Sequence, residues 1–304
     1  MTKKFYSNGK LLLTGEYGVL DGALALAVPT KKGQSLEVSK NETQKIVWKS
    51  FDEKGILWFK GVFETKSLNI LNSTDEQVAT TLQKILLEAQ KLNPDFLMED
   101  VGYAVNTYLD FPRDWGLGSS STLINNIAQW AKVDPFTLLW NAFTGSGYDI
   151  ACAMHNTPIQ YQLINGAPVI KEVNFNPKFL SSVYFIHLNK KQNSRDGINA
   201  YRKKDFDMDT FTQKLGLLTE NISICDDLAL FKNLIAQHEE LVGGILNQTP
   251  IQQQLFKDFD GAIKSLGAWG GDFIMAVGAK NTAEYFKQKG YDTVLSYNEM
   301  VKAP

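Results

Sequence analysis

The chain has 304 residues, a formal net charge of −2, 44% apolar and 21% charged residues. It is long enough to bury a sizeable core, and its length favours two domains over one. Basic and acidic residues are interspersed, which leaves no electrostatic footprint for nucleic acid, and no apolar run is long enough for a membrane span or a signal-peptide core. Cys152 and Cys225 belong to no C-x-x-C pattern, so a reducing cytoplasm fits best.

Short β-rich runs at 10–13, 24–28, 35–38, 45–48 and 57–63 alternate with turns and predict an antiparallel sheet. Thr74 and Gln77 have capping-box spacing before an apolar stripe of Val78, Leu82, Ile85, Leu86 and Ala89, the mark of an amphipathic helix. A strand is expected over 103–111, ending at Pro112. Next comes Trp115-Gly-Leu-Gly-Ser-Ser-Ser-Thr122 before a helical pattern. Its glycines let backbone N–H groups converge, the helix end favours an anion, and its hydroxyls suit a magnesium ion held against phosphate. The same residues also make an ordinary turn and N-cap. Asp134-Pro135 starts another helix, running to about Phe143 before the Gly145-Ser-Gly147 breaker.

The second half has a different texture. A strand over 182–188 precedes helical patterns over 211–218, 226–246 and 252–265, then a glycine loop, a strand over 273–277, a short helix and a last strand. Asn165-Gly166 and Pro168 mark turns where this change begins. The three histidines, His155, His187 and His238, lack metal-ligand spacing. Neither G-x-S-x-G, G-x-x-x-x-G-K-[ST] nor G-x-G-x-x-G occurs, which excludes a nucleophile elbow and the commonest nucleotide loops.

Three glycine-bearing segments appear in order: Ser7-Asn-Gly-Lys-Leu-Leu-Leu-Thr-Gly-Glu-Tyr-Gly-Val-Leu-Asp-Gly22, the 116–122 run, and Leu266-Gly-Ala-Trp-Gly-Gly-Asp-Phe273. With Gly145-Ser-Gly-Tyr-Asp-Ile-Ala151 between the second and third, they resemble the signature motifs of the GHMP kinases, the small-molecule kinases of galactose, homoserine, mevalonate and phosphomevalonate. The resemblance implies an α+β, two-domain architecture: an N-terminal ribosomal-protein-S5-like domain over 1–170 and a C-terminal ferredoxin-like domain over 171–304, with ATP and substrate in the cleft between them. ATP and Mg²⁺ are the implied cofactors. The implied partners are ATP and a small molecule, with no nucleic acid and no membrane; a second copy of the chain is a candidate for a homodimer.

Residue by residue, the resemblance puts Gly116, Leu117, Gly118, Ser119, Ser120 and Ser121 at the ATP phosphates, with Ser120 reaching the metal. Lys10 and Asp149 fall on catalytic positions, Asp149 facing the substrate hydroxyl, and Gly267, Gly270 and Gly271 form the third-motif loop. Glu16, Asn193, Ser194 and Arg195 are candidates for the substrate, with Lys190 and Lys191 as nearby cations. Plain alternatives stand beside these: Lys10 as a solvated strand-end charge, Asp149 as a helix cap, Glu16 as a structural hydrogen-bonding group and Arg195 as an exposed arginine.

Three departures from the family pattern matter. Asn8 replaces a usual proline, Ser121 and Thr122 replace two alanines, and Trp269 replaces a third-motif glycine. Its ring either narrows the site or packs in the interior. The motifs look most like those of phosphomevalonate kinases, then mevalonate kinases. A homoserine or sugar kinase, an ATP-dependent decarboxylase of the same superfamily and a catalytically silent binding relative are the alternatives.

Overall fold

The structure is a computed structural model that describes residues 1–192 and 194–302. In chain order its first elements are β1 (Lys3–Thr14), β2 (Ala25–Asn41), β3 (Lys45–Phe51), β4 (Leu57–Glu64), β5 (Ile70–Ser73), α1 (Glu76–Leu92), β6 (Gly102–Leu109), α2 (Ser119–Ala131), α3 (Pro135–Ala142) and α4 (Tyr148–Met154). There follow β7 (Ile159–Ile164), β8 (Ala167–Glu172), β9 (Val183–His187), α5 (Ser194–Arg202), α6 (Met208–Ile224), α7 (Leu228–Leu246), α8 (Ile251–Leu255), β10 (Gly261–Ser265), β11 (Phe273–Gly278), α9 (Thr282–Gln288), β12 (Val294–Ser296) and α10 (Tyr297–Met300). These divide into two compact units, one of Met1–Gly9, Lys32–Arg113 and Leu117–Met154, the other of Lys10–Lys31, Asp114–Gly116 and His155–Pro304.

In the first unit the strand order is β5-β4-β3-β6-β2. Buried residues alternate along these strands, as in Ile46, Trp48 and Ser50 of β3 or Tyr103, Val105 and Thr107 of β6, so one sheet face is covered. Helix α1 buries Ala79, Leu82, Ile85, Leu86 and Ala89, the stripe its sequence predicts. Its cap differs from expectation. Asp75 accepts the Val78 N–H, whereas the Thr74 hydroxyl accepts from the Lys60 amide, so the local aspartate outcompetes the capping box. Likewise Asp134 caps α3 through the Thr137 N–H.

Two further expectations need correction here. The runs at 24–28 and 35–38 belong to one 17-residue strand, β2, because Lys31 to Gln34 continue the ladder instead of turning. The sheet is not wholly antiparallel either: β3 and β6 run parallel, a pairing made possible by the long crossover through α1.

In the second unit β2 pairs with β7, and β7 with β8 through a hairpin whose turn residues, Asn165 and Gly166, both have positive φ, 52° and 77°. The other sheet has the order β10-β11-β9-β12, antiparallel throughout. Helices α5 to α8 connect β9 to β10, and α9 connects β11 to β12. This β-α-β-β-α-β arrangement is ferredoxin-like. The helix expected over 252–265 is only the five-residue α8, followed by strand β10. Phe256, Phe259 and Ile263 mimic a helical stripe by their spacing, but they bury in one apolar cluster from a turn and a strand. Gly261 permits the strand, since a Cβ there would lie 2.4 Å from the Val277 carbonyl oxygen of β11.

Candidate active site

In the first unit the Gly-Ser run becomes the start of α2. Gly118 occupies the N-cap with φ 87°, a left-handed conformation natural to glycine, and no side chain caps the helix. The first helical amides therefore have no acceptor within the helix, and α2 is long enough, at 13 residues, to present a positive dipole end. Ser120 is exposed and Ser119 half-buried. Ser121 is buried, and its hydroxyl donates to the Gly118 carbonyl at 2.8 Å, which tightens the turn itself.

A neutral polar network fixes this helix from below. Asn126 accepts from the Ser7 hydroxyl at 2.8 Å and donates to the Gln34 carbonyl at 2.9 Å, while Asn125 donates to Ser7 at 2.9 Å. The Thr122 hydroxyl lies 2.8 Å from the Gln34 side-chain oxygen. All five residues are buried. Thr122 stands where the family pattern has alanine, and its hydroxyl has the Gln34 amide as partner. In the same unit Asp149 lies half-buried in the first turn of α4, where its carboxylate also accepts the Ile150 N–H at 3.1 Å. The preceding breaker has Gly145 and Gly147 at positive φ, and the Trp140 indole donates to the Gly145 carbonyl.

In the second unit Lys10, half-buried near the middle of β1, donates through Nζ to the Gly116 carbonyl at 2.7 Å. Asp272, which follows the third-motif loop, closes on the same glycine: a Cβ on Gly116 would sit 2.4 Å from Oδ2 of Asp272. The first, second and third motifs thus meet at Gly116. Burial pushes the Asp272 carboxyl up, against the pull of the Gln192 amide and the Lys10 charge. Asp272 also holds the chain ahead of α5, donating its N–H to the Lys190 carbonyl at 2.7 Å and accepting the Gln192 N–H at 3.1 Å.

Trp269 is resolved in favour of packing. The ring is 4% exposed in a cluster with Tyr17, Tyr201, Phe211, Leu215, Val242 and Leu246, and the room for it comes from α7, where a Cβ on Gly243 would meet it at 3.3 Å. Both Trp269 and Tyr17 have positive φ, 49° and 62°, a strain that only firm surroundings maintain. The Tyr17 hydroxyl donates to the Ala268 carbonyl at 2.9 Å, tying the first motif to the third. Helix α5 can approach because Gly197 has no side chain; a Cβ there would lie 2.5 Å from the Tyr17 hydroxyl.

The remaining sequence candidates divide. Glu16, a candidate for the substrate, is 0% exposed and pairs with the equally buried Lys264 of β10, so its surroundings match the structural alternative. Gly267 and Gly270 have positive φ, and Gly271 packs against the Lys190 carbonyl. Arg195 is exposed in the first turn of α5, as are Lys190 and Lys191 ahead of it. Ser194 opens α5, and Asn193 lies outside the described residues. Sequence reasoning missed Asp272, Tyr17, Lys264 and Glu239. The signal for Asp272 was the Gly-Gly-Asp string itself; a lysine just after the apolar Ala262-Ile263 pair was the signal for Lys264.

No family model matches the sequence, and no curated protein matches it. Solved structures match over nearly the whole chain. The Methanococcus jannaschii mevalonate kinase superposes with a TM-score of 0.72 at 13% identity, covering 100% of this chain and 99% of that one. The Streptococcus pneumoniae phosphomevalonate kinase in complex with phosphomevalonate and AMPPNP gives 0.71 at 15% identity over 97% and 99%. Galactokinase from Lactococcus lactis, complexed with galactose, gives 0.71 at 12% over 99% and 94%. No helix among the described residues is long and apolar enough to cross a membrane. Motif order, sheet topology and these likenesses agree that the chain has the fold of the GHMP kinases.

Proposed function

We propose that the protein is an ATP-dependent small-molecule kinase that phosphorylates mevalonate or its 5-phosphate. The observation that carries this reading is the contact of Lys10 with the Gly116 carbonyl, which sets a cation at the first glycine of the second motif. Transfer of a phosphoryl group has a loose, charge-rich transition state, so a protein contributes mainly positioning and positive potential. In the first unit the uncapped amides of α2 offer such potential, and in the second the Lys10 ammonium does.

The residues present fit ATP, since an uncapped helix start after two positive-φ glycines, Gly116 and Gly118, suits phosphate oxygens. Bound ATP would supply the phosphoryl group. Among the described residues no three His, Cys, Asp or Glu side chains are grouped for a metal. A magnesium ion would therefore take its oxygens largely from phosphate and water, with the exposed Ser120 hydroxyl as the protein's ligand. Asp149 orients the acceptor hydroxyl and takes its proton late in transfer, because an alcohol is too weak an acid to be deprotonated beforehand by a carboxylate. Arg195, with Lys190 and Lys191, would meet the acceptor's anionic end, a carboxylate in mevalonate and a phosphate besides in its ester.

The test measures ADP release with magnesium and ATP against mevalonate, phosphomevalonate, homoserine and galactose. Turnover with a mevalonate compound, reduced by about 10²-fold or more in Asp149→Asn with ATP binding kept, is the expected result. Transfer only to homoserine or a sugar overturns the substrate, and no transfer to any acceptor overturns the kinase.

A further inference from the structure

Four ionisable side chains of the second unit lie together beneath the third-motif loop, away from solvent. Lys264 sits two residues ahead of the loop in β10; Glu16 follows β1, the strand that carries Lys10; His238 and Glu239 are neighbours on α7. All are between 0% and 2% exposed. The Lys264 ammonium pairs with Oε1 of Glu16, donates to the Ser265 carbonyl at 2.9 Å and lies 4.0 Å from Oε1 of Glu239. Glu239 accepts the Ser265 hydroxyl at 3.0 Å. His238 Nε2 accepts the Gly15 N–H at 3.1 Å, which puts the ring proton on Nδ1 and leaves the imidazole neutral, as burial also demands.

The charges do not balance. One ammonium faces two carboxyl groups, and Glu16 Oε2, 3.3 Å from the occupied Nε2 of His238, has no hydrogen-bond partner; nor has Glu239 Oε1. An excess charge in a dry interior is expensive enough that a group retains a proton instead. Burial pushes both carboxyls up, and direct contact with the ammonium favours the charge on Glu16 over Glu239. Glu239, with its free oxygen 4.0 Å away, holds the proton.

We propose that Glu16, Glu239 and Lys264 are positioning residues, a buried ionic knot that fixes the third-motif loop against the segment following Lys10 and that closes only while one proton is retained. The role given to the loop rests on the kinase reading; the knot itself does not. Facing Glu239 are Lys264 and Ser265 from β10 and, through its charge, Glu16 from the segment after β1; His238, its neighbour on α7, faces Glu16. Burial raises the Glu239 carboxyl from 4.5 to about 7. The folded state therefore binds the proton more tightly than the unfolded chain. Its stabilising contribution is complete below about pH 4.5 and is lost as pH rises through about 7.

The experiment uses the full chain and two independent readouts. Hydrogen exchange of the 266–271 amides should accelerate by about tenfold or more in Lys264→Met, while Glu239→Gln, which mimics the protonated form, keeps wild-type protection near pH 7. Where Lys264→Met does not fold, Glu16→Gln serves in its place. Across about pH 5 to 8.5 the wild-type Tm should fall relative to that of Glu239→Gln. The wild-type KM for ATP should rise by about fivefold over the same alkaline limb, with a flat profile in Glu239→Gln. Unchanged loop exchange in a folded Lys264→Met or Glu16→Gln overturns the positioning role, and a pH-independent Tm difference overturns the retained proton. Absence of ADP release from the wild type refutes the kinase instead, leaving exchange and melting to decide the knot.

Discussion

The two units anchor their share of the motifs with opposite chemistry. Under α2 the interior polar groups are neutral: Ser7, Gln34, Thr122, Asn125 and Asn126 exchange donors and acceptors. Under the third-motif loop they are ionisable, with Lys264 between two carboxyl groups and several polar atoms left without partners. A neutral network costs little to bury once its hydrogen bonds are made, and it does not titrate. A charged one holds its partners more strongly and makes them sensitive to protons. The helix that would meet phosphate is thus held by a pH-indifferent device, the loop by a pH-dependent one.

Breaking the charged side should have the largest effect on stability. Lys264→Met leaves Glu16 and Glu239 buried without a cation, a loss of about 3–5 kcal/mol near pH 7 by chemical denaturation. Both carboxyls are already pushed up by burial, and without the ammonium they rise further. The variant therefore regains stability as pH falls toward about 5, because its folded state holds protons there that the unfolded chain does not. A deficit that is the same at both pH values would show that the pair contributes packing alone.

Trp269→Gly probes the loop the knot supports. Truncating a buried aromatic costs about 3–5 kcal/mol, but a glycine at φ 49° relieves about 1–2 kcal/mol of left-handed strain. A net loss of about 2–3 kcal/mol is expected, with the KM for ATP changed little, because the ring points into the Tyr17 and Leu246 cluster. A large change in KM at unchanged Tm would return the ring to the site.

How far such contrasts were legible beforehand depends on the range of the interaction. Capped, locally periodic helices such as α3 and α7, and motif glycines whose φ is positive, could be read from a few adjacent residues. Lys264 was missed because the helical pattern over 252–265 hid a strand, whereas the hairpin with β11 turns it inward to Glu16, 248 positions away. Asn125 and Asn126 likewise sit within a helical pattern as ordinary polar residues until Ser7 and Gln34 are brought beneath them by β1 and β2. Asn126→Ala should accordingly remove about 2 kcal/mol, leaving the Ser7 hydroxyl proton without its acceptor and the Gln34 carbonyl without the Asn126 donor, by the same amount at about pH 5 and pH 8. A pH-dependent loss would break the contrast between the units.

The smallest effect isolates a single hydrogen bond of the neutral network. Thr122 replaces a family alanine, and its hydroxyl has three acceptors within reach: Gln34 Oε1 at 2.8 Å, the Ser119 carbonyl at 3.0 Å and the Gly118 carbonyl at 3.2 Å. One hydroxyl proton serves one acceptor at a time, and the shortest contact is to Gln34, whose oxygen is buried. The Gly118 carbonyl has alternatives, since it also accepts from the Ser121 hydroxyl and the Thr122 amide. Thr122→Ala should therefore cost about 1 kcal/mol through the orphaned Gln34 oxygen, and most of that loss should disappear in a Gln34→Leu background, where no acceptor waits to be satisfied. Additive losses in the double variant would mean that the hydroxyl serves the α2 turn, and the alanine of the family pattern would then lack only a local helix contact.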